Sequence, residues 1–450
     1  MSSLIVSRLG GDAAADSKSI RQIADIIRSD PSRRYVVVSA PGSTHSHVGI
    51  TDLLYLCHAS YMDKENYNPI LEKISERFTE IVEGLGVNIN VEDEITSLKK
   101  SLIMGMNLDY IASRGEYITA KIFADYLGWE FVDAEGLIFF NDDGSINKDK
   151  TFSLAGMKLA KCKHAVIPSF YGSTPDGKIK TFQRGDCDTA GALIACSVDA
   201  DLFEKWSETA KVYSADPAVV PDPEIIRKIT YSEALELNYM GIKIANDNVM
   251  FMLRDAGITM KISGVTTPDD NGMLITPNIP IAMREHLTVC IAGRRNFNVI
   301  HIYKHGMNKI YSFGETLFGI FAGHHIACQH YLSGIHQMSI ILKTPIFDIR
   351  RNQIIREIQD TVKPEDVTVE KGLALIAVIG EGMGTVKGIF SRAFSALARA
   401  EIKVKMMEQG ADSLNMIIGV DDADYVKAIQ ALYRALVLKE EGLLTADKKL

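Results

Sequence analysis

The chain has 450 residues, with 49 lysines and arginines against 57 aspartates and glutamates, so its formal net charge at pH 7 is −8. Hydrophobic residues make up 46% and charged residues 24%, a balance that permits buried cores and excludes intrinsic disorder as the main state. The acidic charge argues against nucleic acid or an anionic membrane as the principal partner, because phosphate groups require clustered Lys and Arg. At roughly 100 to 200 residues per domain, the length predicts about two to four domains.

Cysteine usage and hydropathy indicate the compartment. The six cysteines show no CxxC spacing and are too sparse for a disulfide framework. The first apolar stretch is too short for a signal peptide and is broken by Arg8. No run approaches the roughly 18 apolar residues of a membrane span. We therefore expect a cytoplasmic protein.

Strand-like and helix-like patterns alternate from the N-terminus. Residues 4–9 predict a short strand, residues 17–28 carry apolar side chains at helical spacing, and residues 35–40 predict a buried strand. This β-α-β order indicates an α/β domain with a mainly parallel sheet and ligand sites at the carboxyl ends of its strands. Further predicted elements are a helical section at about 68–112, a helix over 116–127, strand-and-turn segments at 165–170 and 177–182, and a helix over 188–197.

The pattern changes near residues 276–286, where Thr276-Pro277-Asn278-Ile279-Pro280 cannot sustain a helix or a strand. Beyond it, a β-α-β-β unit recurs after about 75 residues, which predicts a pair of small domains. The predicted elements are strands at 299–303 and 337–342 around a helix at 315–325, then strands at 374–379, 403–408 and 413–420 with helices at 386–400 and about 422–438. The predicted domains are 1–285, 286–365 and 366–450. In an alternative arrangement, the C-terminal part of the third domain completes the second domain. Deleting residues after about Thr276 should then leave the α/β domain folded.

Short motifs occur in a fixed order along nearly the whole chain. They are Arg8-Leu9-Gly10-Gly11, Ser39-Ala40-Pro41-Gly42 with Thr51-Asp52, Arg114-Gly115-Glu116, Arg184-Gly185-Asp186-Cys187-Asp188, Tyr213-Ser214-Ala215-Asp216-Pro217, and a tail containing Met406-Met407-Glu408-Gln409-Gly410. In this order they resemble the aspartate kinases of the amino-acid-kinase superfamily, and the tail resembles their tandem ACT regulatory domains. The resemblance implies a three-layer α/β sandwich with a mainly parallel sheet, followed by two ferredoxin-like βαββαβ ACT domains.

The resemblance also implies an activity. It is the ATP-dependent phosphorylation of the side-chain carboxylate of L-aspartate to 4-phospho-L-aspartate, with Mg²⁺ bridging the phosphates. Lysine or threonine would act as the feedback effector in amino-acid biosynthesis, and ACT domains that pair edge to edge imply a homodimer or a dimer of dimers. A catalytically weakened amino-acid sensor and a kinase for another amino-acid acceptor are the alternatives.

The implied substrate site follows the chemistry of an α-amino acid, which needs a cation for its carboxylate and anions for its ammonium group. By resemblance, Arg184 binds the α-carboxylate, Glu116 and Asp188 bind the ammonium group, and Ser39 and Thr51 line the pocket. A simpler interpretation makes Glu116 an exposed acid in the first turn of a helix and Asp188 an ordinary N-cap.

The implied nucleotide and effector sites use other motifs. Glycines after a strand let backbone N–H groups approach phosphates, although a plain tight turn explains them equally well. By resemblance the catalytic residues are Arg8, Asp188 and Lys243. The nucleotide-binding residues are Arg8, Gly10, Gly11, Ser207, Glu208, Tyr213, Asp216 and Lys243. The effector-binding residues are Met307, Asn308, Phe313, Gly314, Ser333 and Gly334.

Several positions depart from the family pattern, and most of them handle phosphate. Arg8 stands where the family has lysine, which changes the reach and shape of the charge. The other departures are Asp12, Asp186, Cys187, Ser207, Glu208, Ala218 and Asn246. Added acids raise repulsion towards a triphosphate unless Mg²⁺ lies between them. A helix N-terminus would lower the pKa of the Cys187 thiol, but we interpret this cysteine as a passive replacement for serine.

Overall fold

The computed structural model describes residues 3–44, 46–208, 210–268, 270–284, 287–385, 387–410 and 414–438. The chain divides into two compact units. The first comprises Met1–Val212, Ile226–Leu235 and Lys243–Ile279, and the second comprises Tyr213–Ile225, Glu236–Ile242 and Pro280–Leu450. In the described ranges, no helix is both long and apolar enough to cross a membrane.

The region up to residue 276 contains an eight-stranded sheet. Its strands and those of a small hairpin are β1 (Ile5–Leu9), β2 (Arg33–Val38), β3 (Glu130–Phe131), β4 (Ala165–Pro168), β5 (Tyr171–Ser173), β6 (Ile179–Thr181), β7 (Leu202–Ser207), β8 (Lys228–Thr230), β9 (Thr259–Gly264) and β10 (Met273–Thr276). The sheet order is β3-β4-β2-β1-β7-β9-β10-β8, and every neighbouring pair is parallel except β9 with β10. The predicted α/β domain with a mainly parallel sheet is confirmed.

Helices cover both faces of this sheet. They are α1 (Ser17–Arg28), α2 (Ile50–Met62), α3 (Asn68–Leu85), α4 (Val91–Ile103), α5 (Leu108–Leu127), α6 (Lys148–Leu159), α7 (Cys187–Ser197), α8 (Tyr231–Tyr239) and α9 (Asp247–Asp255). Val36 and Val38 of β2 share a core with α1 to α5. Tyr35 points to the opposite face, since strand side chains alternate, and its hydroxyl donates to the carbonyl of Leu159 in α6 at 2.8 Å. The result is a three-layer sandwich.

Helix α7 lies very close to the centre of the sheet. A Cβ added at Gly191 would lie 3.1 Å from Cβ of Arg8 and 2.8 Å from the ring of Phe203. Only glycine allows this approach, which brings the N-terminal turn of α7 next to β1 and β7.

The second unit contains a six-stranded antiparallel sheet in the order β12-β13-β11-β14-β16-β15. Its strands are β11 (Cys290–Tyr303), β12 (His330–Ser333), β13 (Gln337–Lys343), β14 (Asp366–Ile379), β15 (Met406–Gln409) and β16 (Asn415–Asp421). Its helices are α10 (Phe313–Gly323), α11 (Thr344–Val362), α12 (Ile389–Arg399) and α13 (Tyr425–Leu436). The sequence did not predict β12 or α11.

Two βαββαβ modules share the long strands β11 and β14. Ile300 and Ile302 of β11 lie in a core with α10 and α11, whereas Ile291 lies in a core with α12 and α13. The pairing of β11 with β14 shifts register between Arg294 and Phe297, which divides each strand between the two modules. The second module thus takes its last strand from residues 290–294, so the alternative in which the C-terminal part completes the first module is not observed. The predicted domain limits remain a proposal.

The helical section predicted at 68–112 consists of two helices and the start of a third. Gly86, with φ of +73°, ends α3, and Asn107 caps α5 by accepting a hydrogen bond from the Tyr110 N–H at 3.0 Å. The helix predicted from 116 therefore begins eight residues earlier, at Leu108. Gly115 suggested a helix start, but it lies inside α5, where a Cβ would come within 3.0 Å of the side chain of Ala40. Val386, Ser413 and the stretch from 439 onwards, which belong to predicted elements or domains, lie outside the described residues.

Candidate active site

Loops from four neighbouring strands meet at one edge of the parallel sheet. The segments that follow β1, β2, β4 and β7 converge because the carboxyl ends of parallel strands share an edge. Gly10 N–H donates to the Trp206 carbonyl at 3.1 Å, and Gly42 N–H donates to the Gly11 carbonyl at 2.9 Å. The hydroxyls of Ser39 and Ser169 are 3.3 Å apart. A Cβ on Gly11 would lie 3.1 Å from the Ala40 carbonyl oxygen, so this turn requires glycine.

A buried charge cluster lies beside these loops. Arg8 of β1 and Lys205 of β7 are register partners, and both side chains reach Asp188 in the first turn of α7. Arg8 Nε is 2.9 Å from Asp188 Oδ1, a close ion pair without hydrogen-bond direction. Lys205 Nζ is 2.8 Å from Asp188 Oδ2 and also donates to the Ile244 carbonyl at 3.0 Å. Arg8 Nη2 donates to Ser39 Oγ at 3.4 Å.

The two cations keep Asp188 ionised. Burial alone would raise the pKa of this carboxyl, but the charges of Arg8 and Lys205 outweigh burial and lower its pKa from the usual value. Asp188 is the second residue of α7, and Asp186 occupies the N-cap position. The interpretation of Asp188 as an ordinary N-cap is therefore wrong.

Glu116 is buried in the middle of α5 and is only 2% exposed. Its Oε2 atom has no hydrogen-bond partner among the residues that the structure describes. Burial raises the pKa of Glu116 to about 8. The interpretation of Glu116 as an exposed first-turn acid is wrong, because α5 begins eight residues before it. A buried carboxyl with a strongly raised pKa is a candidate functional group.

The Cys187 thiol is close enough to the charge cluster and to Glu116 to be affected by both. The pKa of its thiol is raised, first by burial and then by the nearby Glu116 carboxyl, against smaller opposing effects of Arg8 and Ser39. The expected lowering by the helix N-terminus is thus outweighed. A protonated thiol fits the interpretation of Cys187 as a passive residue.

Arg184 lies at the exposed rim, away from the buried cluster. Its guanidinium forms an ion pair with Asp52 of α2 and lies 5.8 Å from the ring of Tyr55. The side chain is 66% exposed, so a ligand has direct access to it. Thr51 precedes Asp52 in the first turn of α2. Binding of a carboxylate by Arg184 would compete with Asp52.

Asp186 joins the start of α7 to the segment before α9. Its Oδ1 accepts hydrogen bonds from Thr189 Oγ1 at 2.5 Å and from Asn246 Nδ2 at 3.0 Å. Burial and then the neighbouring charge of Asp188 raise the pKa of Asp186. Lys243, the predicted nucleotide-side lysine, is exposed and forms no ion pair within the part of the chain described above.

The other predicted nucleotide residues lie in two places. Ser207 is the last residue of β7, and Glu208 follows it. The Ser207 carbonyl accepts from the Val265 N–H, and the Glu208 carbonyl accepts from Thr266 Oγ1, both at 2.9 Å. Tyr213 and Asp216 belong to the second compact unit. The Asp216 side chain accepts from the Ala218 N–H at 2.9 Å.

The predicted effector residues divide into a buried pair and an exposed group. Met307 and Phe313 belong to the core between β11, β13, α10 and α11, and Gly314 lies in α10. Asn308, Ser333 and Gly334 are exposed. The Asn308 N–H donates to the Ile335 carbonyl at 3.4 Å, which brings the 307–313 loop next to the β12–β13 turn.

Two residues of the site were not predicted from the sequence. Ser169 directly follows β4, and Lys205 lies in the buried strand Leu202-Phe203-Glu204-Lys205-Trp206-Ser207. A lysine in such a strand is an unusual feature that a sequence can show, because buried ammonium groups need a partner. The partner itself could not be read without the register of β1 and β7.

A parallel sandwich with glycine loops at its strand ends, followed by paired βαββαβ modules, defines an amino acid kinase with a C-terminal ACT region. A sequence model described as the amino acid kinase family matches residues 3–263, and an ACT domain model matches residues 376–436. The chain belongs to the aspartokinase family, as its resemblance to aspartate kinases predicted.

Similar proteins cover the chain almost completely. Aspartokinase 3 of Bacillus subtilis is 31% identical over 95% of this chain and 98% of its own length. Lysine-sensitive aspartokinase 3 of Escherichia coli is 26% identical over 97% of this chain and 100% of its own length. The crystal structure of Clostridium acetobutylicum aspartate kinase matches with a TM-score of 0.90 and 35% identity, over 96% of this chain and all of that one.

Proposed function

We propose that this chain transfers the γ-phosphoryl group of ATP to the side-chain carboxylate of L-aspartate, giving 4-phospho-L-aspartate. The observation that carries the proposal is the buried Arg8–Asp188–Lys205 cluster beside the glycine loops of a chain that belongs to the aspartokinase family. Direct in-line transfer needs little covalent help from the protein. It needs two anions to be held together and the developing charge to be neutralised.

The charges of the site suit two anions. Arg8 and Lys205 contribute two positive charges against the single negative charge of Asp188. Glu116 is mostly protonated at pH 7, since its pKa is about 8. The buried cluster therefore carries an excess of positive charge, which attracts both the phosphate chain and the acceptor carboxylate. Backbone N–H groups of the Gly10–Gly11 turn would supply further donors for phosphate oxygens.

The amino-acid pocket would use Glu116, Arg184, Ser39 and Thr51. Glu116 offers its Oε2 atom, unpaired within the described residues, to the substrate ammonium group, whose charge would favour the ionised form of Glu116. Arg184 is available for the α-carboxylate by exchanging Asp52 for the ligand. Ser39 and Thr51 would line the space between them.

A divalent cation fits this site only together with the nucleotide. Within the described residues, no group of three or more His, Cys, Asp or Glu side chains could hold a metal ion. Mg²⁺ commonly keeps several waters and binds through one or two carboxylates plus substrate phosphates, so Asp186 is the protein ligand we propose. Bound Mg²⁺ would supply charge neutralisation between the phosphate oxygens and the nearby acids.

The C-terminal unit would bind an amino-acid effector and join subunits. The loop 307–316 and the turn at Ser333-Gly334 are the site that we propose, and a relative named for its sensitivity to lysine favours lysine as the effector. Both edges of the six-stranded sheet, β12 and β15, are available for strand pairing, which supports a homodimer or a dimer of dimers. All six cysteines are unpaired, which supports a cytoplasmic location.

Trapping of the product with hydroxylamine tests the proposed activity. The wild type with saturating ATP, Mg²⁺ and aspartate should yield aspartyl hydroxamate, and lysine should reduce the rate. Arg8→Ala should lower the rate by about a hundredfold, comparable to losing one charge-stabilising donor. Arg356→Ala, which removes an exposed arginine of α11, should keep the wild-type rate. A wild type that binds aspartate but forms no hydroxamate would instead be an amino-acid sensor.

A further inference from the structure

Lys205 has a position that no motif of the family assigned. It lies in β7 opposite Arg8 of β1, and its side chain is 17% exposed. Its ammonium group contacts two elements at once, Asp188 in the first turn of α7 and the Ile244 carbonyl just before α9. Both contacts lie within the first compact unit. Lys205 therefore connects the proposed acceptor side of the site to the proposed nucleotide side.

The neighbouring residue of the same strand shows what a purely structural ion pair looks like here. Glu204 points to the other face of the sheet and accepts four hydrogen bonds, two from Arg33 and one each from Ser7 and Trp206. One cation balances one anion, and both carboxylate oxygens are satisfied. Such balance is what burial of charges requires when no ligand is involved.

The Lys205 cluster is not balanced in this way. Two cations share one carboxylate, and Lys205 completes its coordination with a neutral carbonyl. Burying a second positive charge without a second anion carries a desolvation cost. An incoming anion would supply the missing negative charge, so the imbalance indicates a site that is completed by its ligand.

We propose that Lys205 is a positioning residue of phosphoryl transfer, which fixes Asp188 against Arg8, ties α7 to the segment before α9, and keeps an excess positive charge at the transferring phosphate. This inference rests on the proposed function. Lys243, which the resemblance implied as a catalytic and nucleotide-binding residue, is exposed and has no ion pair in the described ranges.

The test compares Lys205→Met, Lys205→Arg and Lys261→Met with the wild type. Lys261 is a matched control, since it lies in the adjoining strand β9 as the register partner of Glu204 and away from the cluster. The measurements are kcat, KM for aspartate and for ATP, and the melting temperature. Lys205→Met should lower kcat by about a hundredfold with a smaller change in KM for aspartate. Lys205→Arg should restore most of kcat.

The split between kcat and KM, together with the rescue by arginine, separates positioning from a merely structural role. A lysine that only stabilised the fold would change the melting temperature without a selective loss of kcat. A Lys205→Met enzyme with kcat within threefold of Lys261→Met, or a Lys205→Arg enzyme with kcat as low as that of Lys205→Met, would overturn the proposal. Should Lys205→Met not fold, the same criteria apply to Lys205→Gln.

A binding measurement keeps this inference distinct from the proposed function. If the wild type forms no acyl phosphate, the proposed function fails, and calorimetry with a non-hydrolysable ATP analogue plus Mg²⁺ decides the role of Lys205. Affinity at least about tenfold weaker in Lys205→Met than in Lys261→Met supports the excess positive charge at the phosphate site. Equal affinity in the two variants overturns it.

Discussion

Glu116 is the residue of the proposed site whose charge should depend most on the ligand. It is buried, its Oε2 is unpaired within the described residues, and its pKa is raised to about 8. A substrate ammonium group would favour the ionised carboxylate. We therefore expect aspartate to bind with release of a proton at pH 7 and with affinity that rises between pH 6 and pH 8. Calorimetry in buffers of different ionisation enthalpy measures this release, and binding without proton exchange would contradict it.

Replacement of Glu116 separates its effect on binding from its effect on stability. The pKa of Glu116 in the folded state lies above the unfolded value of 4.5. The contribution of the protonated carboxyl to the free energy of unfolding is therefore complete below pH 4.5 and is lost as pH rises through about 8. At about 1.4 kcal/mol per pKa unit, full ionisation costs on the order of 5 kcal/mol. Glu116→Gln imitates the protonated acid, so its melting temperature should equal or exceed that of the wild type at pH 8 and above. Its affinity for aspartate should fall, and a variant that melts earlier at pH 9 would refute the assignment.

At the scale of elements, Arg77 of α3 holds together the loops that form the site. It is 3% exposed, and its guanidinium donates to the carbonyls of Ala15 at 2.9 Å, Gly42 at 2.7 Å and Val48 at 3.2 Å. Burial lowers the pKa of Arg77 despite the nearby charges of Glu80 and Asp16. The Ala15 carbonyl belongs to the loop after β1, and the Gly42 and Val48 carbonyls belong to the loop between β2 and α2.

Loss of Arg77 should therefore loosen both loops together. Arg77→Met leaves the buried hydrogen-bond site at the Ala15 carbonyl and the part-buried one at the Gly42 carbonyl without their donor, each at about 1 to 3 kcal/mol, so we expect a loss of about 2 to 4 kcal/mol in the free energy of unfolding. Urea denaturation measures it, with the partly exposed Arg254→Met of α9 as the control. Arg77→Lys should recover only part of the loss, because one ammonium cannot reproduce the guanidinium geometry. Equal stability of the two Met variants would show that the loops do not depend on Arg77.

The sequence predicted the elements well where local patterns decide them, and less well where distant contacts do. Helix α1 was predicted with its observed limits, since apolar spacing is a local signal. The predicted helix over 116–127 begins later than α5, because Gly115 looks like a helix start in the sequence. This position is glycine because Ala40, in another segment, lies close to it, and local patterns do not show that contact. Likewise, Arg8, Ser39 and Asp188 were identified from motifs, whereas Lys205 depends on the register of β1 with β7.

At the scale of the whole molecule, the chain crosses between its two units several times. Residues 213–225 and 236–242 belong to the second unit although they precede most of it in sequence. Ala215, Val219 and Val220 lie in the core with α12 and α13. The Tyr433 hydroxyl accepts from the Glu224 N–H at 2.9 Å and lies 3.1 Å from Ser214 Oγ. The sequence predicted that both segments belong to the first domain, because only the proline-containing stretch near residue 280 resembled a domain boundary.

A chain that ends at that apparent boundary should therefore lose stability as well as the proposed regulatory region. A fragment of residues 1–279 keeps the two crossing segments but loses their partners, and each buried valine so exposed costs roughly 1.5 to 3 kcal/mol. We expect the fragment to bind a hydrophobic dye, to melt below the full chain and to aggregate. Adding a separate 280–450 fragment should reduce dye binding, since it restores the Ile291 N–H donation to the Ser214 carbonyl, 2.8 Å in the intact chain, and the α12–α13 core. A fragment of 1–279 that stays monomeric, binds no dye and melts with the full chain would show that a cut after about Thr276 leaves an intact α/β domain, as the sequence alone predicts.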